Sequence, residues 1–350
     1  MPGVGAGMSN LTVGLAVLGG VVLAGVVAHS AWTARRTAPR QAQALKADAA
    51  GQSKERVEPL LDDAPMPSLP LPERRAGLDA LIDVIAPITL DAADAVVSGD
   101  AALAAQPPTR RAGSKAFAVE GQNAATGLWE SPAAGGRYSA FQAGVQMANR
   151  TGALNEIEYS EFVMKAQGFA DAVGGTPEFP EMLEEVARAR ELDQFASGHD
   201  AQLSFTLQAR QAAWSPGYVQ QHAARLGFVA GAMPGRMVLP AAEPGAPAVL
   251  GLAFDTQAAM AEDPTQSAIH ALTLSLDVPH VTRAERPFVR MRDAAIALSA
   301  AMDAALCDDR GQRIAPESLD GIGADLEQLY DTLEQHDLAA GSGLARRLFS

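Results

Sequence analysis

The sequence predicts an α+β protein: an N-terminal transmembrane helix followed by two split β-α-β-like domains, each an antiparallel sheet with helices on one face. Three observations predict it. Leu11 to Trp32 is an apolar run without Asp, Glu, Lys or Arg, followed at once by Arg35 and Arg36. QLSFTLQA (Gln202–Ala209) and HALTLSLDVP (His270–Pro279) alternate apolar and polar side chains, the period of a strand with one buried face. One order of elements, β-α-β-β-β-α-β-α, recurs at a spacing of roughly 120–125 residues, the mark of a repeated unit.

The apolar run is long enough to span a bilayer. As a helix it measures about 33 Å, against a hydrocarbon core of about 30 Å. Only His29, near its end, can carry charge. A cleaved signal peptide is the competing reading, through the alanines after Val27. It requires a basic segment before a shorter apolar one, and residues 1–10 hold no basic side chain. A buried core helix would need a polar face, which the run lacks. Arg35, Arg36, Arg40 and Lys46 follow the run, so the expected orientation has the N-terminus outside and the remaining chain cytoplasmic. Trp32 stands where an interfacial aromatic anchors a helix end. Self-association through the anchor is a further expectation.

Charge and composition narrow the function classes. The net charge of −14 divides as +1 over residues 1–74, −8 over 75–199 and −7 over 200–350. Nucleic acid is excluded as a partner because it demands a basic footprint. Cys307 is the only cysteine, which fits a reducing compartment and excludes an intramolecular disulfide. In a β-like run it reads as a small buried hydrophobe.

Residues 1–36 read as anchor and basic flank, and 37–76 as a linker containing PMPSLPLPE (Pro65–Glu73). Alternating proline favours an extended, semi-rigid chain. Residues 77–199 form the first domain. Leu78–Leu90 is apolar enough for a buried strand, and Ala92–Ala105 reads as a helix ending at Pro107-Pro108. Lys115–Gly121, Gly127–Ser131 and Arg137–Asn149 follow as strands, with Gly135-Gly136 as a turn between the last two. Glu156–Gly175 reads as an amphipathic helix with Ile157, Phe162, Met164, Phe169 and Val173 on one side and glycine at its end. Pro180–Phe195 is a second helix.

Residues 200–350 repeat the order. After strand Gln202–Ala209 comes helix Pro216–Leu226, with Ser215 as N-cap and proline in the first turn. GRMVLPA, Pro247–Asp255 and His270–Pro279 are strands, and Arg286–Ala305 is a long helix. Ala305–Ile314 carries the Asp308-Asp309 turn between two short β segments, and Pro316–Glu334 closes the unit.

Catalytic signatures are missing from the sequence. The six histidines make no i, i+4 pair and no cluster with Cys307, so neither a metal nor another cofactor is expected. No P-loop, G-x-S-x-G or dinucleotide fingerprint occurs. The chain reads as a binding protein and not as an enzyme. The pairs Asp62-Asp63 and Asp308-Asp309 suit a linker and a turn better than a cation site. Arg283, Arg286, Arg290 and Arg292 are a basic cluster that either meets a partner carboxylate or pairs with neighbouring acids.

Three segments resemble the ZipA family of bacterial cell division. VAHSAWTARR (Val27–Arg36) looks like that family's membrane exit. QLSFTLQA, a helix and LGFVAGAM (Leu226–Met233) look like the opening of its C-terminal domain. LTLSLDVP, a long helix and ALCDDRGQRIAPESL (Ala305–Leu319) look like its closing half. Residues 77–199 are similar more faintly, through EFVMKAQGFADAVGG. The resemblance implies an inner-membrane, single-pass adaptor that tethers FtsZ filaments to the cytoplasmic face for septum assembly, by binding the FtsZ C-terminal tail. Carried onto matching positions, the implied groove includes Leu207, Met233, Ala253, Asp255, Thr273 and Ser275. The family has larger apolar side chains at Asp255 and Ser275, a longer linker and one C-terminal domain. The alternative is a membrane-anchored envelope protein whose α+β domains take another peptide or a small molecule.

Overall fold

The computed structural model describes residues 40–41, 77–92, 94–261 and 267–350. The expected anchor Leu11–Trp32, with Arg35 and Arg36, and the Pro-rich stretch 65–73 lie outside the described residues. Among the described residues no helix is long and apolar enough to cross a membrane.

The first unit runs β1 (Asp83–Leu90), β2 (Val97–Ser98), α1 (Gly99–Ala104), β3 (Arg111–Ala112), β4 (Lys115–Asn123), β5 (Trp129–Glu130) and β6 (Arg137–Gln146). A small hairpin, β7 (Ala148–Asn149) and β8 (Gly152–Ala153), leads to α2 (Glu156–Val173), β9 (Gly175–Pro177) and α3 (Met182–His199). The second unit runs β10 (Gln202–Ala209), α4 (Pro216–Ala224), β11 (Val229–Ala230), β12 (Arg236–Leu239), β13 (Leu250–Phe254) and α5 (Thr256–Met260). It continues through β14 (Ala271–Asp277), α6 (Pro287–Met302), β15 (Ala304–Cys307), α7 (Pro316–Gln335) and α8 (Gly343–Leu348).

Both sheets are antiparallel. The first is ordered β3-β4-β6-β1-β9, with β2 on β6 and β5 on β4; the second is ordered β11-β12-β13-β14-β10-β15. The series β4-β6-β1-β9 therefore matches β13-β14-β10-β15. In each unit a long helix, α2 or α6, carries the chain from the second strand of that series to the last. The recurrence read from the sequence reappears as this shared strand order.

Local chemistry sets the element ends. Asn155 and Glu158 form a reciprocal capping box at the start of α2, and Gly174 ends it in the left-handed region at φ 68°. Ser215 Oγ accepts from Tyr218 N–H to open α4, as expected. The expected helix Ala92–Ala105 is shortened to Gly99–Ala104, because Ser98 caps it and Val97–Ser98 pairs with β6. The expected helix Arg286–Ala305 stops at Met302. Asp303 there turns left-handed at φ 55°, freeing Ala304 and Ala305 to enter β15. The C-terminal helix α8 is an addition to the expected set.

Helices cover one face of each sheet. In the first unit Val84, Ala86, Ile88, Phe117, Val119, Phe141 and Val145 meet Phe162, Ala166 and Phe169 of α2. Phe141 and Phe169 meet edge to face at 5.2 Å. Burying one such ring is worth about 1.5–3 kcal/mol. The expected apolar side of α2 is corrected here. Ile157 is 82 % and Met164 67 % exposed, while Tyr159, Phe162, Ala166 and Phe169 make the buried stripe. In the second unit Phe205, Leu207, Leu252, Leu272, Leu274 and Leu276 pack with Phe288, Met291, Ala295 and Leu298 of α6.

The two units are joined by the C-terminus. Ala345, Leu348 and Phe349 belong to the second core, which also takes in Ile82 and Ala148 from the first unit. Arg347 reaches the opposite way, pairing with the buried Asp83 carboxylate and donating to Gly77 C=O. Gln146 donates to Arg347 C=O at 2.6 Å, and Arg150 N–H to Ser350 C=O at 3.1 Å. Asp83 and Gln146 are register partners. They alternate with Val84 and Val145, so α8 docks on the sheet face opposite α2.

Candidate functional site

Among the described residues the second sheet keeps one face free of helices. Strand pleating puts Leu203, Phe205 and Leu207 of β10 on the helix side and Ser204, Thr206 and Gln208 on the other. Register carries this face across the sheet: Ser204 opposes Ser275, Thr206 opposes Thr273, Ala253 opposes Thr273 and Gly251 opposes Ser275. Val238 follows on β12, opposite Gly251, and Val229 on β11, opposite Val238. The centre of the face is thus small: hydroxyls, alanine and glycine, with valines to one side. A Cβ on Gly251 would stand 2.6 Å from Ser275 Oγ, so glycine lets the two strands present a flat surface there.

The structure brings together three of the six expected groove residues. Ala253, Thr273 and Ser275 are neighbours on the open face. Leu207 is corrected: it is fully buried under the helices, and the open-face residue beside Thr273 is Thr206. Asp255 lies past the strand end, where its carboxylate caps α5 by accepting from Gln257 N–H at 2.8 Å. Met233 stands in the turn between β11 and β12, 63 % exposed. Its near neighbour Met237 is core. Ser204, Thr206 and Val238 were missed, although period-2 alternation from Phe205 identifies the first two.

One residue of the expected linker belongs to the second unit. Arg40 forms a parallel bridge with Trp214: its N–H donates to Ala213 C=O at 2.6 Å, and its C=O accepts from Ser215 N–H at 2.8 Å. Trp214 is fully buried, and its indole N–H donates to Met302 C=O at 3.0 Å. The Arg40 guanidinium donates to the same carbonyl and to the Asp303 carboxylate, each at 3.0 Å. Arg40 therefore seals the C-terminal end of α6, where unpaired carbonyls favour a cation.

Several charged groups elsewhere are paired within the fold. Lys115 is buried, and its three N–H positions reach Ser114 Oγ at 2.8 Å, Asn149 Oδ1 at 3.1 Å and Thr151 Oγ1 at 3.3 Å. Burial pushes its pKa down, the Glu158 charge opposing. Ser114 Oγ in turn donates to Glu158 Oε1 at 2.7 Å. The ammonium donates to Ser114, so the pair ties the β3–β4 turn to the β7–β8 hairpin and α2. It does not direct a free amine at a nucleophile. Arg283 meets Glu327 and Asp331, Arg290 meets Glu285, and Arg292 meets Asp320, which is the pairing with neighbouring acids anticipated for this cluster. Cys307 is buried, as expected. Asp308 accepts from Arg310 and Gln312 N–H, the turn expected at Asp308-Asp309. Among the described residues no three His, Cys, Asp or Glu side chains gather at metal-binding range.

A cavity of about 690 Å³ lies over the first sheet on the side away from α2. Leu78, Arg110, Ala118, Glu120, Pro132 and Arg346 are among the residues around it. No protein-family model matches this chain, and no curated protein matches it either.

Proposed function

We propose that this protein is a membrane-anchored adaptor that tethers FtsZ filaments at the cytoplasmic membrane face. The FtsZ C-terminal tail lies on the open face of the second sheet. The observation that carries the reading is the uncovered face itself. Five neighbouring strands present Ser204, Thr206, Gly251, Ala253, Thr273 and Ser275 outward, with Val229 and Val238 at one side. Small side chains leave a shallow bed on which a peptide backbone can approach the sheet, and the valines offer apolar contact. The resemblance of Val27–Arg36, Gln202–Met233 and Leu272–Leu319 to the ZipA family supplies the choice of FtsZ as the partner. In this reading the protein binds and does not catalyse. Each contact is weak, and affinity for a filament comes from many anchored copies meeting many tails.

The test uses the full chain in detergent micelles and a labelled peptide of the FtsZ tail from the same organism. Saturable binding is expected, weakened about tenfold by Thr273→Arg, which adds bulk to the middle of the face. No binding at millimolar peptide would sink the reading.

A further inference from the structure

The first sheet has a break in its edge that the second lacks. Strand β4 is covered on one side by β6 from Phe117 to Asn123. On its other side β3 pairs only with Lys115 and Ala116, and β5 only with Gly121 and Gln122. Phe117 N–H donates outward, to Arg110 C=O at 3.0 Å. Antiparallel strands alternate the direction of their backbone groups. Val119, two residues on, therefore aims its N–H and C=O the same way, into the space between β3 and β5. Among the described residues no group hydrogen-bonds to either. The backbone of Val119 opens into the cavity of about 690 Å³.

Three arginines and one acid, Glu120, surround that cavity in a chain whose net charge is −14, and the Glu120 carboxylate is already held by Leu78 N–H at 3.0 Å and the Gln142 amide at 2.8 Å. Arg347 is committed to Asp83 and Gly77 C=O. Arg346 stands beside it on α8. Arg110, at the edge of the break, has no partner for its guanidinium among the described residues. The floor is Ala116 and Ala118 of β4, two methyl groups that leave room for a chain to lie across the strand. Leu78 and Pro132 supply apolar walls.

We propose that this notch is a second binding site, and that it takes an extended acidic peptide. One residue of that peptide pairs its own N–H and C=O with Val119, and a flanking carboxylate meets Arg110. The chemistry selects this occupant. An orphan N–H beside an orphan C=O asks for another peptide unit. An arginine without a partner asks for a carboxylate. Of the three residues between Phe117 and Gly121 only Val119 turns its backbone outward, so the ligand crosses the strand and does not add a full strand to it. The site is independent of the second sheet's open face.

The experiment uses the full chain in detergent and a fluorescent peptide of about ten residues alternating Glu and Val, long enough to cross the notch with extended flanks. The peptide should bind saturably and slow hydrogen exchange at the Val119 amide. Arg110→Glu, at an exposed position, should weaken binding about tenfold or more. Methylating the central amide nitrogen of the peptide should weaken it similarly. Thr273→Arg in the second unit should change nothing, which separates this site from the open face. Absence of binding at millimolar peptide, undiminished affinity in Arg110→Glu, or an unprotected Val119 amide would each overturn the proposal.

Discussion

Arg347 and Asp83, far apart in sequence, form an ion pair across the junction of the two sheets, with the Asp83 carboxylate wholly buried. Burial raises the Asp83 pKa, and the Arg347 charge opposes that shift. A carboxyl whose folded pKa is raised holds its proton more tightly in the folded state. Its ionisation therefore removes stability as pH climbs from the unfolded value, about 3.9, through the folded one. Asp83→Asn should flatten the dependence of stability on pH in that window. Urea midpoints of wild type and variant, compared from acid to neutral pH, measure the difference. Arg347→Ala leaves the charge alone in the junction and should cost about 3 kcal/mol at neutral pH.

Arg150 grips the other side of the junction. Its guanidinium donates to Asp200 at 2.7 and 2.8 Å and to Asp277 at 2.8 Å twice. Both carboxylates are partly exposed, so the fork is screened but geometrically strong. Arg150→Ala should cost about 1–2 kcal/mol, less in high salt. It should also widen the separation between the unfolding of the two units, followed by near-UV circular dichroism and by Trp214 fluorescence in a background where Trp32 and Trp129 are replaced by phenylalanine. A single unchanged transition would contradict it.

Lys115→Met tests the buried network beneath the β3–β4 turn. The variant keeps the volume but strips a donor from Ser114, Asn149 and Thr151. The expected loss is about 1–3 kcal/mol. The Lys115 pKa is lowered on folding, so the folded state binds fewer protons between that value and the unfolded value of about 10.4. Wild-type stability gains from this group as pH rises through the window. The gain should vanish in the variant, which paired denaturation curves at alkaline pH will show or refute.

Tyr330 offers a change in the other direction. Its hydroxyl is buried without a hydrogen-bond partner among the described residues, and burial pushes its pKa up. The ring meanwhile lies under the Arg283 guanidinium, 5.8 Å from its centroid. Tyr330→Phe keeps the ring and removes the orphan oxygen. It should be neutral or stabilising by about 1 kcal/mol. A thermal midpoint lowered by several degrees would mean that the hydroxyl is satisfied after all.

The strands of the second unit were legible because half-buried strands write their period into sequence, as Leu203-Phe205-Leu207 and Leu272-Leu274-Leu276 do. The face assigned to Leu207 was not, because the groove positions came from resemblance. A slip of one residue in a strand exchanges its two faces. On α2, Ile157 and Met164 share one side of the helix and Phe162 and Phe169 another. Both sides are apolar, and only packing chooses between them. The break opposite Val119 was invisible for a different reason. It arises from where β3 and β5 end, and neither strand is long enough to leave a periodic trace. The contacts of α8 and Arg40 join residues hundreds of positions apart, beyond any local pattern.

The clasp of Arg40 onto Trp214 changes how far the body can stray from a bilayer. If the chain is anchored through Leu11–Trp32, Arg36 and Arg40 are four residues apart and at most about 14 Å. The leash for the second unit is then this short span, not the whole stretch of residues 37–76. The clasp sits at the Ala209 end of β10, and the first unit attaches at its Gln202 end, roughly 25 Å away along the strand. The later half of the sequence would stand nearest the lipid and the earlier half outermost.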